Sequence, residues 1–273
     1  MTKIIFPPDF AGFDGKEAFE EIMNETEPEP KKDPPTGNPL IIQEHDKYEY
    51  YFAGTNEYNS YKEFVETNFP KQQKSGLQTL EELAKPILKD NLFKGSSPII
   101  NSAMNMALRE QGVQVVTQAQ LEYIFQNNLS NLSDVYSDTG MCLRTISEPN
   151  ENHAKDLISQ LNNKELPIYI PVISYDLELI DGKISFKITN QENILHLPIL
   201  NSPNQSKFNN SDIDLQTGFP IQLNPQGARI FWTIQNGLSG CYLSRYSNLN
   251  AYSSGLSGSI VSGRVVLAKP RSG

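Results

Sequence analysis

The sequence contains few of the residues that carry out chemistry. It has two cysteines, Cys142 and Cys241, and three histidines, His45, His153 and His196, which are scattered along the chain. Two cysteines allow at most one disulfide, and their positions relative to the histidines do not match a zinc site. The sequence therefore predicts no metal site and no cofactor.

Phosphate-binding and acyl-transfer signatures are also missing. The glycine-rich stretches GLSG and SGLSGS match neither GxGxxG nor GxxxxGK[ST], and no GxSxG motif is present. Asp176 and Glu178 alternate along a predicted strand, a spacing that permits acid/base chemistry but is more typical of a solvated strand face. The sequence favours a protein that is not an enzyme, and an enzyme whose site cannot be seen in the sequence is the alternative.

Basic charge is scarce. The net charge is -9 and the sequence pI is about 4.9, whereas nucleic acids and anionic membranes require a basic surface. No apolar run is long enough to span a membrane, and MTKIIFPPDF lacks the apolar core of a signal peptide. We expect no nucleic-acid partner, no membrane insertion and a cytoplasmic location; packaging in a virion or export without a signal peptide stays open.

Residues 1–96 are predicted to form an N-terminal region of mixed structure. Residues 24–39 are rich in Pro, Glu and Lys and have no apolar anchor, which predicts a disordered segment. The aromatic stretch from Tyr48 to Phe64 alternates and then shifts to helical spacing, which predicts a strand followed by a helix. Leucines at helical spacing predict another helix over residues 77–88.

Two helices are predicted near the middle of the chain. Asn101 or Ser102 can cap the start of the first, and Gly112 suits the left-handed position at its end. After a short strand, Thr117 and Gln120 have the spacing of a capping box, in which each side chain bonds the backbone N–H of the other residue. The second helix is therefore predicted to begin at this pair.

From Pro167 onward the pattern is typical of strands. YDLELI and ISFKIT are joined by Asp181-Gly182, a pair that tolerates the positive φ angles of a hairpin turn. A polar loop at residues 201–217 is predicted to separate this hairpin from strands at 228–234 and 264–269. Helices followed by hairpin-connected strands predict the α+β class.

The segment from residue 236 to residue 263, NGLSGCYLSRYSNLNAYSSGLSGSIVSG, has an unusual composition. Of its 28 residues, 19 are Ser, Gly, Asn or Tyr, the residues that antibody paratopes favour because they combine contact area with adaptable hydrogen bonding. Leu243, Leu249 and Leu256 recur within it and are expected to anchor it to a core. A flexible low-complexity loop is the alternative.

The segment also lacks Lys, Glu, Gln, Met and Trp. Every residue that it contains can be reached from an asparagine codon ending in a pyrimidine by changes at the two adenines. The segment therefore resembles the variable region of proteins diversified by retroelements. In that family, adenines of a template are mutagenised and the copy is written into the 3′ end of the gene.

The resemblance implies a C-type-lectin-like fold of the formylglycine-generating-enzyme subtype over residues 97–273. QGVQVVTQAQLEYIFQNN, at residues 111–128, is similar to the family's early strand and helix, and SGRVVLA, at residues 262–268, resembles its closing Gly-Phe-Arg-Val strand. The sequence departs from the pattern at Val116, where the family usually has Pro, and in a hairpin-rich insertion at about 147–215.

The resemblance implies a ligand-binding protein whose recognition face lies in the variable segment. The residues expected on that face are Tyr242, Ser244, Tyr246, Asn248, Asn250, Tyr252, Ser253 and Ser257. A flat face of this composition suits a protein or glycan ligand, and the absence of acids after Asp214 argues against calcium-dependent sugar binding. The alternative is a structural or assembly component, of a virion or a secretion apparatus, that uses the segment as a docking loop.

Overall fold

The computed structural model describes residues 45–69, 86–129, 135–162, 164–244 and 248–271. The predicted disordered segment at 24–39 and most of the predicted helix at 77–88 lie outside these ranges. The end of that helix is described, and there the prediction is wrong. Ile87–Lys89 forms strand β2, which pairs with β3 (Leu92–Lys94) because Asp90 and Asn91 turn the chain with positive φ angles.

A strand and a helix open the described chain, as the aromatic pattern predicted. Strand β1 (Tyr48–Phe52) pairs antiparallel with the last strand, β16 (Val266–Pro270). Helix α1 (Thr55–Asn68) buries Tyr61 and Val65 in a core cluster that also contains side chains from beyond residue 97. The core is therefore continuous across residue 96, where the predicted N-terminal region ends, within a compact unit that spans Ile42–Gly273.

Helix α2 (Pro98–Leu108) begins earlier than predicted. The Ser97 hydroxyl accepts a hydrogen bond of 3.2 Å from the first-turn backbone, so Ser97 is the N-cap. Asn101 and Ser102 lie inside the helix and are buried, because their side chains bond to neighbouring strands instead of to the helix start. Gly112 has a φ of 68°, as its predicted left-handed position requires.

Helix α3 (Gln118–Gln126) begins at the predicted capping box. The backbone N–H of Gln120 donates to Thr117 Oγ1 at 3.4 Å, and the backbone N–H of Thr117 donates to Gln120 Oε1 at 3.0 Å. The preceding strand, β4 (Gln114–Val115), pairs antiparallel with β16. Strands β1, β16 and β4 form a three-stranded sheet in that order.

A larger sheet has seven strands. In spatial order they are β10 (Ser206–Phe208), β13 (Arg229–Thr233), β15 (Leu249–Ser253), β14 (Leu238–Leu243), β5 (Ser137–Leu143), β6 (Ile168–Pro171) and β9 (Leu195–His196). Strands β13 and β15 are parallel, and the other neighbours are antiparallel. With four α-helices in the described residues, this mixed architecture agrees with the predicted α+β class.

The region between β6 and β13 contains the predicted hairpin. Strands β7 (Tyr175–Ile180) and β8 (Lys183–Ile188) pair along their whole length, and Asp181 and Gly182 turn the chain with φ angles of 50° and 75°. Helix α4 (Glu151–Gln160), which the sequence did not indicate, packs against β8.

The predicted polar loop at residues 201–217 is more structured than expected. It contains β10 and the strand β11 (Ile213–Asp214), which pairs with β12 (Phe219–Pro220).

Core side chains cover both faces of the seven-stranded sheet. Because side chains alternate along a strand, Met141 and Leu143 of β5 join the cluster that contains α2, whereas Cys142 joins a second cluster on the opposite face. Phe231 and Leu249 extend that second cluster beneath β13 and β15. Strand β14 has a core on both faces, since Leu238 joins the first cluster and Cys241 the second, whereas Leu249 and Ala251 of β15 join the second.

Candidate functional site

The described residues cover only part of the face of the sheet that carries α2. A Cβ on Gly240 would lie 3.4 Å from Cγ of Pro98, so the start of α2 sits directly over β14 at this residue. Further across β14, β15 and β13, the same face carries Tyr242, Tyr252 and Trp232, which are half-buried or exposed. This uncovered part of the face is the candidate site.

Four aromatic side chains, which we call the aromatic row, cross the uncovered face. Tyr136, immediately before β5, meets Tyr242 edge to face with ring centroids 5.5 Å apart. The hydroxyl of Tyr242 is hydrogen-bonded to that of Tyr252, and the Tyr252 ring lies 5.9 Å from Trp232. These separations are typical of stabilising aromatic pairs, so the row is a connected unit.

Strand register explains why the row forms. Tyr242 in β14 is opposite Asn250 in β15, which is opposite Trp232 in β13. Tyr252 lies two residues beyond Asn250 and therefore points to the same side. Ala251, between them, points to the opposite side and is fully buried. The alternation separates the surface residues of the segment from its core residues.

The leucines of the segment are scaffold, as the sequence predicted. Leu243, Leu249 and Leu256 are 3%, 0% and 5% exposed. Leu243 packs against α3, and Leu249 joins the cluster beneath β13 and β15. The described part of the segment is consequently folded onto the core, unlike a free low-complexity loop.

The predicted recognition residues occupy different depths. Half-buried positions at the surface are Tyr242, Ser244, Asn248, Ser253 and Ser257, and Tyr252 is exposed. Asn250 is buried and donates to the Asn248 carbonyl at 3.0 Å, while Asn248 Oδ1 accepts the Ile230 amide at 2.8 Å. Asn248 therefore links the start of β15 to β13, whereas Asn250 bonds within its own segment. Tyr246 lies outside the described residues.

Sequence reasoning missed two members of the aromatic row. Trp232 lies between buried neighbours in RIFWT, but Ile230, Phe231 and Trp232 are all apolar, so the sequence contains no alternation that would mark a surface position. The sequence around Tyr136 does not indicate a surface site, because the residues that contact Tyr136 are distant in the chain. Its hydroxyl accepts the Ile260 amide at 3.1 Å, which places the highly exposed Ile260 and Val261 at this end of the row.

A buried acid lies beneath the aromatic row. Asp138 is opposite Tyr242 in the β5–β14 register, and its Oδ2 atom has no hydrogen-bond partner among the described residues. Burial raises the pKa of Asp138 to about 7, against a smaller opposing effect of a hydrogen bond with Ser96. The Asp138 carboxyl, which lies under the row, therefore titrates near neutral pH.

Arg144 fixes the segment at the end of β5. Its buried guanidinium donates to the Leu200 carbonyl at 3.1 Å, to Ser239 Oγ at 3.0 Å and to the Ala251 carbonyl at 2.7 Å. Its backbone N–H also donates to the Gly237 carbonyl at 3.0 Å. One side chain thus joins β14 to β15.

A buried ion pair supports the opposite edge of the site. Glu122 in α3 binds both terminal nitrogens of Arg229 in β13, with the shorter contact at 2.6 Å. The Arg229 guanidinium also lies 4.6 Å from the Phe208 ring centroid, a cation–π contact. The pair ties α3 to the strand that carries Trp232.

The described part of the chain contains no group of three or more His, Cys, Asp or Glu side chains placed to hold a metal ion. Cys142 and Cys241 lie on adjacent strands as free, buried thiols. His45 stacks on Tyr123, and His153 contacts Phe186. These side chains are used in packing at separate places.

Comparisons with known proteins identify no relative of this chain. No family model, curated protein or solved structure matches this chain. Among the described residues, no helix combines the length and the apolar character required to cross a membrane.

Proposed function

We propose that this chain is a ligand-binding protein whose recognition surface is the aromatic row together with the surface residues of the 236–263 segment. The observation that carries the proposal is the row itself. Tyr136, Tyr242, Tyr252 and Trp232 are connected, accessible and mounted on a packed sheet. Rigid aromatic side chains provide contact area with little entropy to lose on binding, which favours affinity.

The proposal includes the C-type-lectin-like arrangement that the sequence resemblance implies. The two passages that carry the resemblance are about 150 residues apart in the chain but adjacent in space, because Leu267 of β16 is opposite Val115 of β4. Strand β4 leads directly into the capped helix α3, as in the resembled passage. The insertion at about 147–215 contains α4, the β7–β8 hairpin, β11 and three strands of the seven-stranded sheet, β6, β9 and β10, all of which lie outside these passages.

The proposal also includes diversification of the segment by a retroelement. In β15, buried Leu249 and Ala251 precede the accessible Tyr252 and Ser253, and Tyr242 in β14 is half-buried. A change at an accessible codon would alter the face without opening a cavity in the core. The hypothesis implies that a reverse transcriptase and its accessory protein are encoded near this gene.

A structural or assembly role is the second candidate. The observation that favours it is the aliphatic pair at one end of the row, where Ile260 and Val261 are 66% and 65% exposed. Exposed apolar area of this kind is typical of surfaces that are covered in a complex. In that case the segment would be a permanent docking surface.

Site-specific crosslinking tests the proposal in source cells. A photoreactive p-benzoylphenylalanine replaces Tyr252 in the row or, as a matched control, Ile221, which is 73% exposed in a different part of the chain. We expect a crosslinked partner from the Tyr252 position and none, or a different one, from the control. A stoichiometric crosslink to one assembly subunit supports the second candidate, and equal crosslinking at both positions contradicts the proposal.

A further inference from the structure

The hydroxyls of the three tyrosines in the aromatic row and the side-chain oxygen of Asn248 are engaged within the protein. Asn248 Oδ1 accepts the Ile230 amide, and the Tyr136 hydroxyl bonds both the Ser96 carbonyl and the Ile260 amide, each at 3.1 Å. The Tyr242 and Tyr252 hydroxyls bond each other. A ligand rich in hydroxyl groups would lose hydrogen bonds to water here and find few replacements, which is costly.

The largest side chains that the surface offers are aromatic and aliphatic, and its half-buried serines, Ser244, Ser253 and Ser257, are small. Tyr252 is exposed at one end of the row beside half-buried Trp232, and Ile260 and Val261 are exposed at the other end, beside Tyr136. Contact area of this type is suited to apolar side chains.

Two basic side chains lie at the ends of the row. Lys207 is exposed and lies opposite Ile230 in the β10–β13 register, at the Trp232 end. Arg264 lies at the other end, where its guanidinium donates to the Val261 carbonyl at 2.8 Å. The strands beneath the row contain one acid, Asp138, which is buried, and no acid follows Asp214 in the sequence. The surface is therefore apolar with a positive charge at each end.

We infer that the recognition surface takes a protein partner that packs apolar side chains on Tyr252 and Trp232 and directs acidic side chains toward Lys207 and Arg264. The inference rests on the proposed function and adds the class of ligand. A glycan fits less well, because the tyrosine hydroxyls of the row are already paired. A second copy of the same face also fits less well, because a two-fold contact brings identical surfaces together and the strands under the row provide no exposed acid to meet Lys207 and Arg264.

Two probes test the inference on the full chain: a phage-displayed random-peptide library and a glycan array. The wild type is compared with a double variant, Trp232→Ala and Tyr252→Ala, whose folding is checked by circular dichroism. We expect the selected peptides to combine apolar and acidic residues and to bind the wild type at least about tenfold more tightly than the variant, as loss of central aromatic residues usually causes. We expect no row-dependent signal on the glycan array.

A charge reversal at one end of the row tests the acidic part of the inference. Lys207→Glu is expected to weaken the selected peptides about threefold to tenfold, because a favourable charge becomes a repulsive one. Lys183→Glu, at the exposed turn of the β7–β8 hairpin, makes the same charge change away from the row and should leave binding unchanged. Equal weakening by both variants, or none by Lys207→Glu, overturns the acidic requirement.

The peptide library and the glycan array together distinguish a failure of the inference from a failure of the proposed function. Row-dependent glycan binding without row-dependent peptides would overturn the partner class and leave the recognition surface standing. Peptides that bind the wild type and the double variant equally, together with an array that gives no row-dependent signal, would overturn both.

Discussion

Asp138 makes the site sensitive to pH because its carboxyl is buried under Tyr242. Its pKa is raised from 3.8 to about 7 by desolvation. The folded protein therefore holds a proton that the unfolded chain releases. With the folded pKa above the unfolded value, the contribution of this group to stability is fully present below about pH 4 and is lost as pH rises from about 4 toward about 7, by up to roughly 1.4 kcal/mol per pH unit.

The variant Asp138→Asn tests this source of pH dependence. The amide has nearly the same shape but cannot ionise, so we expect it to flatten the decline in the free energy of unfolding between about pH 4 and about pH 7. Urea unfolding at several pH values measures the slope, and Asp156→Asn on the exposed side of α4 is the control that should leave it unchanged. A wild-type slope in Asp138→Asn would contradict the account.

Gly263 is required by the packing under Tyr136. A Cβ at this position would lie 2.6 Å from the Ser96 nitrogen and 2.9 Å from the Tyr136 hydroxyl, whereas a Cβ at Gly258 would have its nearest contact at 3.6 Å. We expect Gly263→Ala to lower the free energy of unfolding by about 1–3 kcal/mol and Gly258→Ala to change it by less than about 0.5 kcal/mol. Thermal unfolding of the two variants checks this, and equal effects would refute the packing argument.

At the scale of elements, Arg144 is expected to keep β14 and β15 together. Arg144→Met removes three hydrogen bonds to Leu200, Ser239 and Ala251 and leaves buried acceptors without a donor, for an expected loss of about 3 kcal/mol. Hydrogen exchange should become faster in the β14–β15 amides before it does so in β7–β8.

A control for this prediction is Arg109→Met. Arg109 pairs with Asp176, but its side chain is 58% exposed, and exposed pairs contribute at most about 1 kcal/mol. If both arginine variants destabilise the protein equally, or if exchange in β14–β15 is unaffected by Arg144→Met, the proposed link between these strands is wrong.

Elements with local signals could be predicted from the sequence. The capping box at Thr117 and Gln120 and the turn at Asp181-Gly182 depend on hydrogen bonds and backbone angles of adjacent residues. Their structure can therefore be predicted from the local sequence. The sequence predicts the end of a helix where strand β2 lies, because the spacing of leucines contains no information about strand pairing with Lys94. Strand β5 is buried on both faces and shows no alternation that would reveal it.

The candidate site could be predicted only in part, because some of its residues are brought together by contacts between distant parts of the sequence. The scaffold role of Leu243 and Leu249 follows from apolar residues in a polar segment. The structural use of Asn248 depends on a parallel neighbour, β13, that the sequence does not identify. Tyr136 joins the row because β5 lies beside β14, a contact between residues about 100 positions apart.

For the whole molecule, the organisation of the segment is the central feature. Strands β14 and β15 lie inside the seven-stranded sheet, with a core beneath them and the aromatic row above. The ion pair of Glu122 with Arg229 and the bonds of Arg144 secure the sheet on both sides of the segment. Surface residues of the segment can therefore change while the support remains fixed, as a diversified recognition surface requires.

The most direct test of this account is to sequence the DNA that flanks the gene and to search for a near-copy of codons 236–263. The account predicts such a copy, with differences at adenines that fall on accessible positions such as Tyr242, Tyr252 and Ser253 and leave the codons of buried Leu249 and Ala251 unchanged. Absence of a copy, differences at other bases, or differences concentrated at the buried positions would contradict a diversified recognition surface.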